Sequence, residues 1–153
     1  MDLQNIKIMA RNREAYHEYF VEEEMEAGIE LCGTEVKSIR KGNLNLKDAW
    51  CGIKDGQMLI NQMHISPYEQ GNRFNPDSKR PRRLLMHKRE IMRLFGKIKQ
   101  DGYSLIPRSV YLKGSLVKVK VGLCKGKKLY DKRQSAAERD AKRQMDRAMK
   151  ERY

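Results

Sequence analysis

The alternation of apolar and basic residues within residues 116–128 restricts the fold more than any other segment. Because successive side chains of a β-strand point to opposite faces, such alternation predicts a half-buried strand with one basic face. The alternating positions are Val117, Lys118, Val119, Lys120 and Val121. The alternation fails after Gly122, and from Gly126 onward the chain is strongly charged. We therefore predict a folded core before this point and, after it, a segment that binds a partner without building a core.

The overall charge restricts the partners of the chain. Its 153 residues contain 33 Lys and Arg against 20 Asp and Glu, a formal net charge of +13 and a pI of about 9.8. This balance favours a polyanion, most simply nucleic acid, because neutralised phosphates release condensed counterions. A basic membrane-surface protein is the alternative, but the folded part has no amphipathic helix rich in Trp or Leu to support it. With 39% hydrophobic residues, the length fits one domain with an extension.

Neither the cysteines nor the N-terminus indicates an exported protein. Cys32, Cys51 and Cys124 are odd in number and widely spaced, and we expect them to be reduced, small hydrophobic residues. Residues 1–14 contain no apolar core of the length found in signal peptides, and no apolar run has the length of a membrane span. We therefore expect a soluble cytoplasmic protein with no membrane partner.

The first forty residues predict a loose arm, a strand and a helix. Residues 1–12 are basic and weakly patterned, and we expect them to form a loose N-terminal arm. Residues 16–31 contain helix-favouring glutamates, but the β-prone run YFV and the later alternation favour a long strand that bends or bulges near Gly28. Residues 33–42, GTEVKSIRKG, predict a short helix with Thr34 as its N-cap and a glycine at its end.

The remainder of the folded part predicts one more helix and further strands around a hairpin. Asp55 and Gly56 give the strongest hairpin signal in the chain. The expected segments are strands at 49–53, 57–65 and 103–112 (Pro107 lying at an edge or bulge), a long loop at 66–83 and a helix at 84–98. Five or six short strands with two inserted helices fit a mainly β fold, a small closed antiparallel barrel of the oligonucleotide-binding (OB) type. We assign residues 1–125 to this barrel.

Residues 126–153 predict a separate basic tail. From residue 125 to residue 153, eleven residues are basic and five acidic, a net charge of +6. Residues 134–152 favour a helix, but its apolar stripe is too thin to anchor it on the barrel. The stripe consists of Ala137, Ala141, Met145, Ala148 and Met149. We expect a tail that is disordered when free, helical on a partner, and able to bind a polyanion.

Residues that carry enzymatic chemistry are scattered. His17, His64 and His87 stand near no cysteine or carboxylate at the spacing of a metal site or a catalytic triad. The run GKK at 126–128 lacks the earlier glycine and the Ser or Thr of a phosphate-binding loop. The acidic run at 22–26 has two interpretations, a metal site or a solvated face that pairs with lysines and arginines, and in so basic a chain we favour the solvated face. We predict no enzymatic activity, no metal and no cofactor, and a small nuclease is disfavoured because its acid–base pair is missing.

Nucleic-acid binding is better supported. Basic strand faces, a basic loop and exposed aromatic side chains would supply phosphate contacts and stacking surfaces. The cations of the loop are Arg73, Lys79, Arg80, Arg82 and Arg83. The aromatics expected at the surface are Tyr16, Tyr111 and Tyr130, and those expected in the core are Tyr19, Phe20, Trp50 and Phe95.

Seven short blocks resemble one known family in order and spacing. They are HEYF (17–20), EMEAG (24–28), GTEVKS (33–38), NLKD (45–48), RLL (83–85), GKK (126–128) and DKR (131–133). On these blocks the chain, from about Asn12 to its C-terminus, resembles the small protein B, or SsrA-binding protein, family. So many co-linear blocks make the resemblance specific.

The resemblance implies a six-stranded OB-type barrel with flanking helices, acting as the protein partner of transfer-messenger RNA (tmRNA) in trans-translation. It implies that the barrel grips the tRNA-like domain of tmRNA and delivers it, aminoacylated and with elongation factor Tu, to stalled ribosomes. Alanyl-tRNA synthetase is then an indirect partner through tmRNA. The tail would meet small-subunit rRNA in the decoding centre and empty mRNA channel and become helical there. A general RNA-binding OB barrel or a ribosome-associated protein is the alternative.

The resemblance carries three RNA-binding positions onto Glu26, Leu85 and Lys118. Lys118 would contact a phosphate, Glu26 would accept from a guanine edge, and Leu85 would offer an apolar wall to a base. Lys37 and Lys120 are further expected RNA contacts. Without the resemblance, Glu26 is simply part of a surface acid cluster and Leu85 packs in a helix core.

In the tail, the resemblance implies ribosome binding. Asp131, Lys132 and Arg133 match the motif required after RNA binding, and Tyr130 is placed to stack in the decoding centre. Ala148 departs from the larger aliphatic residue that the family often has there. The full set of expected ribosome contacts is Gly126, Lys127, Lys128, Tyr130, Asp131, Lys132, Arg133 and Met149.

Overall fold

The computed structural model describes residues 5–68 and 75–126, which contain nine strands and three helices. The strands are β1 (Ile6–Arg11), β2 (Tyr19–Ile29), β3 (Leu44–Asn45), β4 (Trp50–Lys54), β5 (Gln57–Asn61), β6 (His64–Ile65), β7 (Arg82–Leu85), β8 (Ser104–Lys113) and β9 (Leu116–Gly126). The helices are α1 (Arg13–Glu18), α2 (Gly33–Arg40) and α3 (Lys88–Asp101).

Six strands close into a ring. The strand order is β1-β8-β4-β5-β7-β2-β9, and an additional pairing of β8 with β9 joins the two sides, so that β1 alone lies outside the ring, against β8. Every pairing is antiparallel. The short strands β3 and β6 pair with each other beside the ring. The predicted mainly β fold, a small antiparallel barrel of about six strands, is confirmed.

The inside of the ring is filled by apolar side chains from alternating strand positions. On β9, Val119 and Val121 are fully buried and Lys120 is exposed, which confirms the strand predicted from their alternation. The strand continues beyond Gly122, because Leu123 and Cys124 are both buried and pair with β8 and β2. Helix α3 covers the ring with Ile91 and Leu94. The core therefore fixes the register of β9 along its whole length.

Two local predictions are confirmed at the hairpin and at α2. Asp55 (φ 53°) and Gly56 (φ 74°) both adopt positive φ between β4 and β5, as a type I′ turn requires. Helix α2 begins at Gly33 as expected, but the residue before it, Cys32, takes the N-cap position predicted for Thr34. The Glu35 carboxylate accepts from the Cys32 amide at 2.9 Å, so this carboxylate replaces the expected hydroxyl as the cap partner.

The prediction of a loose arm over residues 1–12 is wrong for Ile6–Arg11, which form β1 and pair with β8. The buried Asn12 anchors the end of β1: its side-chain amide donates to the Pro107 carbonyl at 3.0 Å, and its Oδ1 accepts from the Ala15 amide at 3.2 Å. The weak apolar pattern concealed this strand, because it lies at the edge of the sheet and buries few of its side chains.

The boundaries and the bulge of β2 also differ from the prediction. Residues 13–18 form α1, so the predicted strand begins at Tyr19 and ends at Ile29. The register shift lies between Val21 and Glu23, and Gly28 pairs regularly with both neighbouring strands. Pro107 does lie at a bulge, since the β8–β9 register shifts between Pro107 and Ser109.

The helix predicted over 84–98 starts later than expected. Arg82–Leu85 form β7, and α3 runs from Lys88 to Asp101. Within β7, Leu84 is 1% exposed and Leu85 is 50% exposed, the alternation of a strand with one buried face. The predicted packing of Leu85 in a helix core is therefore wrong. The apolar residues at helical spacing begin only at Ile91, inside α3.

Some predictions concern residues outside the described part. The tail helix at 134–152 is one of these, so the division into a barrel at 1–125 and a tail at 126–153 stays a prediction. Within residues 5–68 and 75–126, none of the three helices has the length and apolar character needed to cross a membrane.

Candidate nucleic-acid interface

Leu85, Gly28 and Lys118 lie in one row across three neighbouring strands. Gly28 of β2 is paired with Leu85 of β7 on one side and with Lys118 of β9 on the other. Directly paired residues of antiparallel strands share a face, so an apolar side chain and a cation flank a position without a side chain. A Cβ added to Gly28 would come 3.4 Å from the Cβ of Leu85. Because Gly28 has no side chain, the surface between Leu85 and Lys118 is recessed.

A shallow groove of about 260 Å³ opens over this row. Leu85 and Leu116 are 50% and 58% exposed, although both are large and apolar. Val36 of α2 and Val117 add apolar wall, and Lys118 is the cation among the groove's residues. We name this surface the Leu85 groove. An apolar trough with a cation at its edge matches the chemistry of an unstacked base with its phosphate.

Glu26 lies on the same outer face, two residues before Gly28. Its carboxylate accepts from the Tyr111 hydroxyl and is 3.5 Å from Nζ of Lys113. The hydrogen bond from Tyr111 is the largest cause that holds the pKa of Glu26 below its usual range, with Lys113 and Lys118 acting in the same direction. Glu26 is therefore a fixed, ionised acceptor that remains partly open to solvent.

Tyr111 is a structural residue of this surface. It is 4% exposed, so the prediction of an exposed stacking tyrosine at this position is wrong. Burial, followed by the hydrogen bond to the Glu26 carboxylate, raises the pKa of its hydroxyl. Tyr111 pairs with Lys118 in the β8–β9 ladder, and its hydroxyl thereby links the positions of Lys118 and Glu26.

The two added lysines occupy different surroundings. Lys120 is opposite Glu26 in the β2–β9 ladder and its Nζ lies 3.6 Å from the Glu24 carboxylate. Lys37 is exposed on α2, with Nζ 5.4 Å above the ring of Tyr68. Val36, the residue before it, lines the Leu85 groove, but Lys37 does not. Lys120 therefore belongs to the same face as Glu26 and Lys118, while Lys37 lies beside that face.

The acidic run on β2 is paired with donors from neighbouring elements, as interpreted from the sequence. Glu23 is 2.6 Å from Arg93, Glu24 contacts Arg108, and Glu22 accepts from the Tyr103 hydroxyl at 2.5 Å. Among the described residues, no group of three or more His, Cys, Asp or Glu side chains is placed to hold a metal ion.

Part of the predicted basic loop is instead an internal ion cluster. Arg82 is 1% exposed; its Nε lies 2.5 Å from the Glu35 carboxylate, and its two amino groups donate to the carbonyls of Met63 (2.7 Å) and Ser78 (3.1 Å). Arg80 is 2.5 Å from the same carboxylate. The prediction that Arg82 contacts phosphate is therefore wrong. We name Glu35, Arg80 and Arg82 the buried ion cluster.

The electrostatics of the buried ion cluster follow from its burial and its pairing. Burial alone would raise the pKa of Glu35, but donors on Arg80, the Cys32 amide and Arg82 outweigh it and the net pKa is lowered. Burial lowers the pKa of the Arg82 guanidinium, opposed by its pairing with Glu35. The cluster joins α2, β7 and the residues before β7, so its role is to hold these elements together.

Sequence reasoning misplaced several aromatic and cysteine side chains. Trp50 and Phe20, expected in the core, are 50% and 43% exposed. The neighbouring residue indicates the exposure of Trp50. Cys51 is buried as predicted, and adjacent residues of a strand lie on opposite faces, so Trp50 lies on the outer face of β4. Cys124 is also buried, which raises the pKa of its thiol to about 11, whereas Cys32 is exposed.

Among the predicted tail contacts, Gly126 is the one that the structure describes. It ends β9 and pairs with Tyr19, the first residue of β2. The other tail positions lie outside the described residues, as do Tyr130, Arg73 and the side chain of Tyr16. The described part of the chain therefore ends with β9, at the end of that strand opposite to Lys118.

Comparison with known proteins points to one family. Residues 9–151 match the family model described as SmpB protein. The chain is similar to the SsrA-binding proteins of Carboxydothermus hydrogenoformans (58% identity; 96% of this chain, 99% of the relative) and Clostridium perfringens (60%; 95% and 94%). A chain of the solved structure named "tmRNA-SmpB: a journey to the center of the bacterial ribosome" superposes with a TM-score of 0.65 at 40% identity, over 80% of this chain and 84% of that one.

Proposed function

The chain belongs to the SmpB protein family, and on this basis we propose that it is a tmRNA-binding adaptor for trans-translation. Its relatives are SsrA-binding proteins, and the similar solved chain comes from a study of tmRNA and SmpB in the bacterial ribosome. The adaptor binds the tRNA-like domain of tmRNA and delivers it to stalled ribosomes in the cytoplasm. The observation that carries the proposal is the match of residues 9–151 to the family model, together with the similar fold of the solved chain.

The surface for tmRNA is the outer face of β2, β7 and β9. The Leu85 groove receives an unpaired base against Leu85, and Lys118 neutralises the adjoining phosphate. Glu26, held ionised by Tyr111, accepts from a base edge. Lys120 and Lys37 add cations beside this face. The barrel supplies rigidity, because β9 is hydrogen-bonded to neighbouring strands on both sides.

The ribosome-binding element is the tail that follows Gly126. Its net charge of +6 from residue 125 suits the rRNA-lined decoding centre and empty mRNA channel of the small subunit. Lys127, Lys128 and the motif at 131–133 bind there, Tyr130 stacks on a base, and the distal segment with Met149 becomes helical. Elongation factor Tu and alanyl-tRNA synthetase are indirect partners through tmRNA.

Truncation after Lys128 tests whether the barrel binds tmRNA and the tail binds the ribosome. The shortened protein should bind tmRNA nearly as the full chain does, because the outer-face residues are all retained. It should fail to support peptide tagging on ribosomes stalled on an mRNA without a stop codon. Loss of tmRNA binding in the truncated protein would contradict the two-module arrangement.

A general RNA-binding barrel is the alternative, since basic strand faces alone bind RNA without sequence preference. Competition at physiological salt separates the two functions. The full chain should retain labelled tmRNA against an excess of unrelated structured RNA of equal length. Equal affinity for the two RNAs would contradict the adaptor function, as would RNA cleavage by the purified protein that survives Lys118→Ala.

A further inference from the structure

A second groove, of about 350 Å³, lies where β4 and β8 meet under helix α3. These two strands share a single paired position in the described sheet, Cys51 with Leu105, so the barrel wall opens beside them. Aromatic side chains occupy the opening: the groove is lined by Tyr19, Trp50, Phe95 and Tyr103, together with Ile98 and Lys99. We name this surface the Trp50 groove.

Trp50 is held as a flat, accessible platform. Its side chain is 50% exposed although tryptophan carries the largest apolar surface of any residue. A Cβ added to Gly52 would come 2.6 Å from Cζ3 of the indole, so the ring lies directly over the backbone of Gly52. The glycine thus lets the indole pack against its own strand, where Trp50 lines the groove. A planar exposed ring of this kind is a stacking surface for a base.

Cations surround the aromatic rings of the Trp50 groove. Nζ of Lys99 is 4.6 Å from the centroid of Phe95, and Nζ of Lys125 is 4.7 Å from that of Tyr103. Among the described residues that line the groove, Lys99 is the charged one and none is a carboxylate. The nearby Glu22 carboxylate accepts from the Tyr103 hydroxyl at 2.5 Å and lies 3.7 Å from Nζ of Lys125, so Lys99 is the cation left for a ligand. Apolar rings with an adjacent cation complement a nucleotide, in which a flat base adjoins a phosphate.

The Trp50 groove is at the end of the barrel where the tail begins. Tyr19, one of its lining residues, pairs with Gly126 at the end of β9. Lys118 lies seven residues from Lys125 on that strand, a separation of about 23 Å at the usual rise per residue. A single nucleotide therefore does not occupy both the Leu85 groove and the Trp50 groove. The Trp50 groove instead adjoins whatever surface receives the tail.

We propose that the Trp50 groove binds an unpaired nucleotide of small-subunit ribosomal RNA, with its base stacked on Trp50 and its phosphate on Lys99. The choice of ribosomal RNA rests on the proposed function, in which the tail enters the small subunit. This stacking contact lies next to the start of the tail and would fix the orientation of the barrel on the small subunit. The barrel then has one RNA at each end of β9.

Trp50 is the one tryptophan in the sequence, so its fluorescence reports stacking directly. Full-length protein is titrated with single-stranded heptaadenylate at low salt. Saturable quenching should occur and should weaken with added salt and with Lys99→Ala, because stacking and a phosphate contact act together. Fluorescence that stays unchanged at high oligonucleotide concentration would overturn the proposal.

Ribosome binding then tests the source of the nucleotide. Complexes of labelled tmRNA with full-length protein are bound to purified small subunits, and Trp50→Ala should weaken this binding about tenfold or more while leaving tmRNA affinity unchanged. Trp50→Phe should restore most of the binding, and Phe20→Ala, which truncates an exposed aromatic outside the groove, should have no effect. Far-ultraviolet circular dichroism and the unfolding midpoint confirm that each variant is folded.

The other outcomes are distinguishable. Weaker tmRNA affinity in Trp50→Ala would place the nucleotide in tmRNA and overturn the assignment to ribosomal RNA. Weaker subunit binding that salt does not change, without quenching by heptaadenylate, would indicate an apolar protein contact and overturn it as well. Failure of the wild-type protein to bind tmRNA would contradict the proposed function itself, a result that the wild-type control reveals separately.

Discussion

Glu26 and Glu35 are two carboxylates with similar partners and opposite surroundings. Each is contacted by two donor side chains, Tyr111 and Lys113 for Glu26 and Arg80 and Arg82 for Glu35. The side chain of Glu26 is 37% exposed and that of Glu35 is 3% exposed. A polar group that is sealed from water serves the fold, whereas one that is fixed but still open to solvent is available to a ligand.

This difference shows how one highly charged chain can fold and still leave charged groups accessible on its proposed RNA-binding face. Removing a partner from a sealed ion pair leaves an uncompensated charge in the interior, which is strongly destabilising. Removing a partner from an exposed pair costs little, because water replaces it. Mutations in the buried ion cluster should therefore change stability, and mutations on the outer face of β2 and β9 should change RNA binding.

Arg82→Met should have the largest effect. It leaves Arg80 as the one arginine that pairs with Glu35 and removes two hydrogen bonds to main-chain carbonyls, so the free energy of unfolding should fall by about 3–5 kcal/mol. Urea denaturation followed by circular dichroism measures this loss. Arg83→Ala, at an adjacent arginine whose side chain is 52% exposed, is the matched control and should change the free energy by less than about 0.5 kcal/mol. A loss below about 1 kcal/mol for Arg82→Met would contradict a structural role for the buried ion cluster.

A pair of Glu-to-Gln variants sharpens the comparison. Glu35→Gln should lower the free energy of unfolding by about 2–4 kcal/mol and leave the tmRNA affinity of the folded protein unchanged. Glu26→Gln should cost less than about 1 kcal/mol, because solvent screens this exposed pair, yet weaken tmRNA binding severalfold. Urea denaturation and filter binding of tmRNA are measured on both variants. Equal effects of the two changes in both assays would remove the distinction between the sites.

Lys118→Ala tests the cation of the Leu85 groove. We expect weaker tmRNA binding and a slope of log K against log salt that falls by about one unit, because one phosphate contact is lost. Filter binding across a range of salt concentrations gives this slope. Lys54→Ala, at an exposed lysine on the β4–β5 hairpin, is the control and should leave the slope unchanged. An unchanged slope for Lys118→Ala would show that this lysine does not neutralise a phosphate.

The smallest effect concerns pH. Because the pKa of Glu35 is lowered in the folded state, its ionised form contributes stability that is complete above the unfolded pKa and is lost as pH falls through the folded pKa. The stability gap between wild type and Glu35→Gln should therefore narrow as pH falls from about 6 toward 3. The other carboxylates titrate in both proteins and cancel in the difference. A gap that stays constant over this range would mean that the pKa of Glu35 is the same in the folded and the unfolded protein.

Local signals in the sequence predicted the elements whose determinants are close together along the chain. The alternation of β9 and the Asp55-Gly56 turn each occupy a few residues, and both predictions are confirmed. The strand β1 was missed because it is held by pairing with β8, about a hundred residues away, rather than by its own pattern. The sequence predicts the end of the long loop and the start of the helix where β7 lies, because the four residues of this strand are too few to show a period.

The candidate site was predictable in its residues but not in its shape. The family resemblance supplied Glu26, Leu85 and Lys118, and pairing between strands distant in sequence places them on one face. The exposure of Leu85 depends on β7 being a strand. The burial of Arg82 depends on Glu35, 47 residues earlier, and no local pattern distinguishes this arginine from its exposed neighbour Arg83.

The strand β9 carries Lys118 near one end and Gly126 at the other, and pairs with β2 and β8 along most of its length. The strand therefore fixes the distance between Lys118 and Gly126. Eight residue steps separate the two positions by about 26 Å, and a strand paired on both edges has no hinge to alter that span. A two-residue insertion that kept the alternation of faces would increase the distance between Lys118 and Gly126 by about 7 Å. Under the proposed function, the segment after Gly126 would then start too far from the tmRNA site to reach the ribosome correctly.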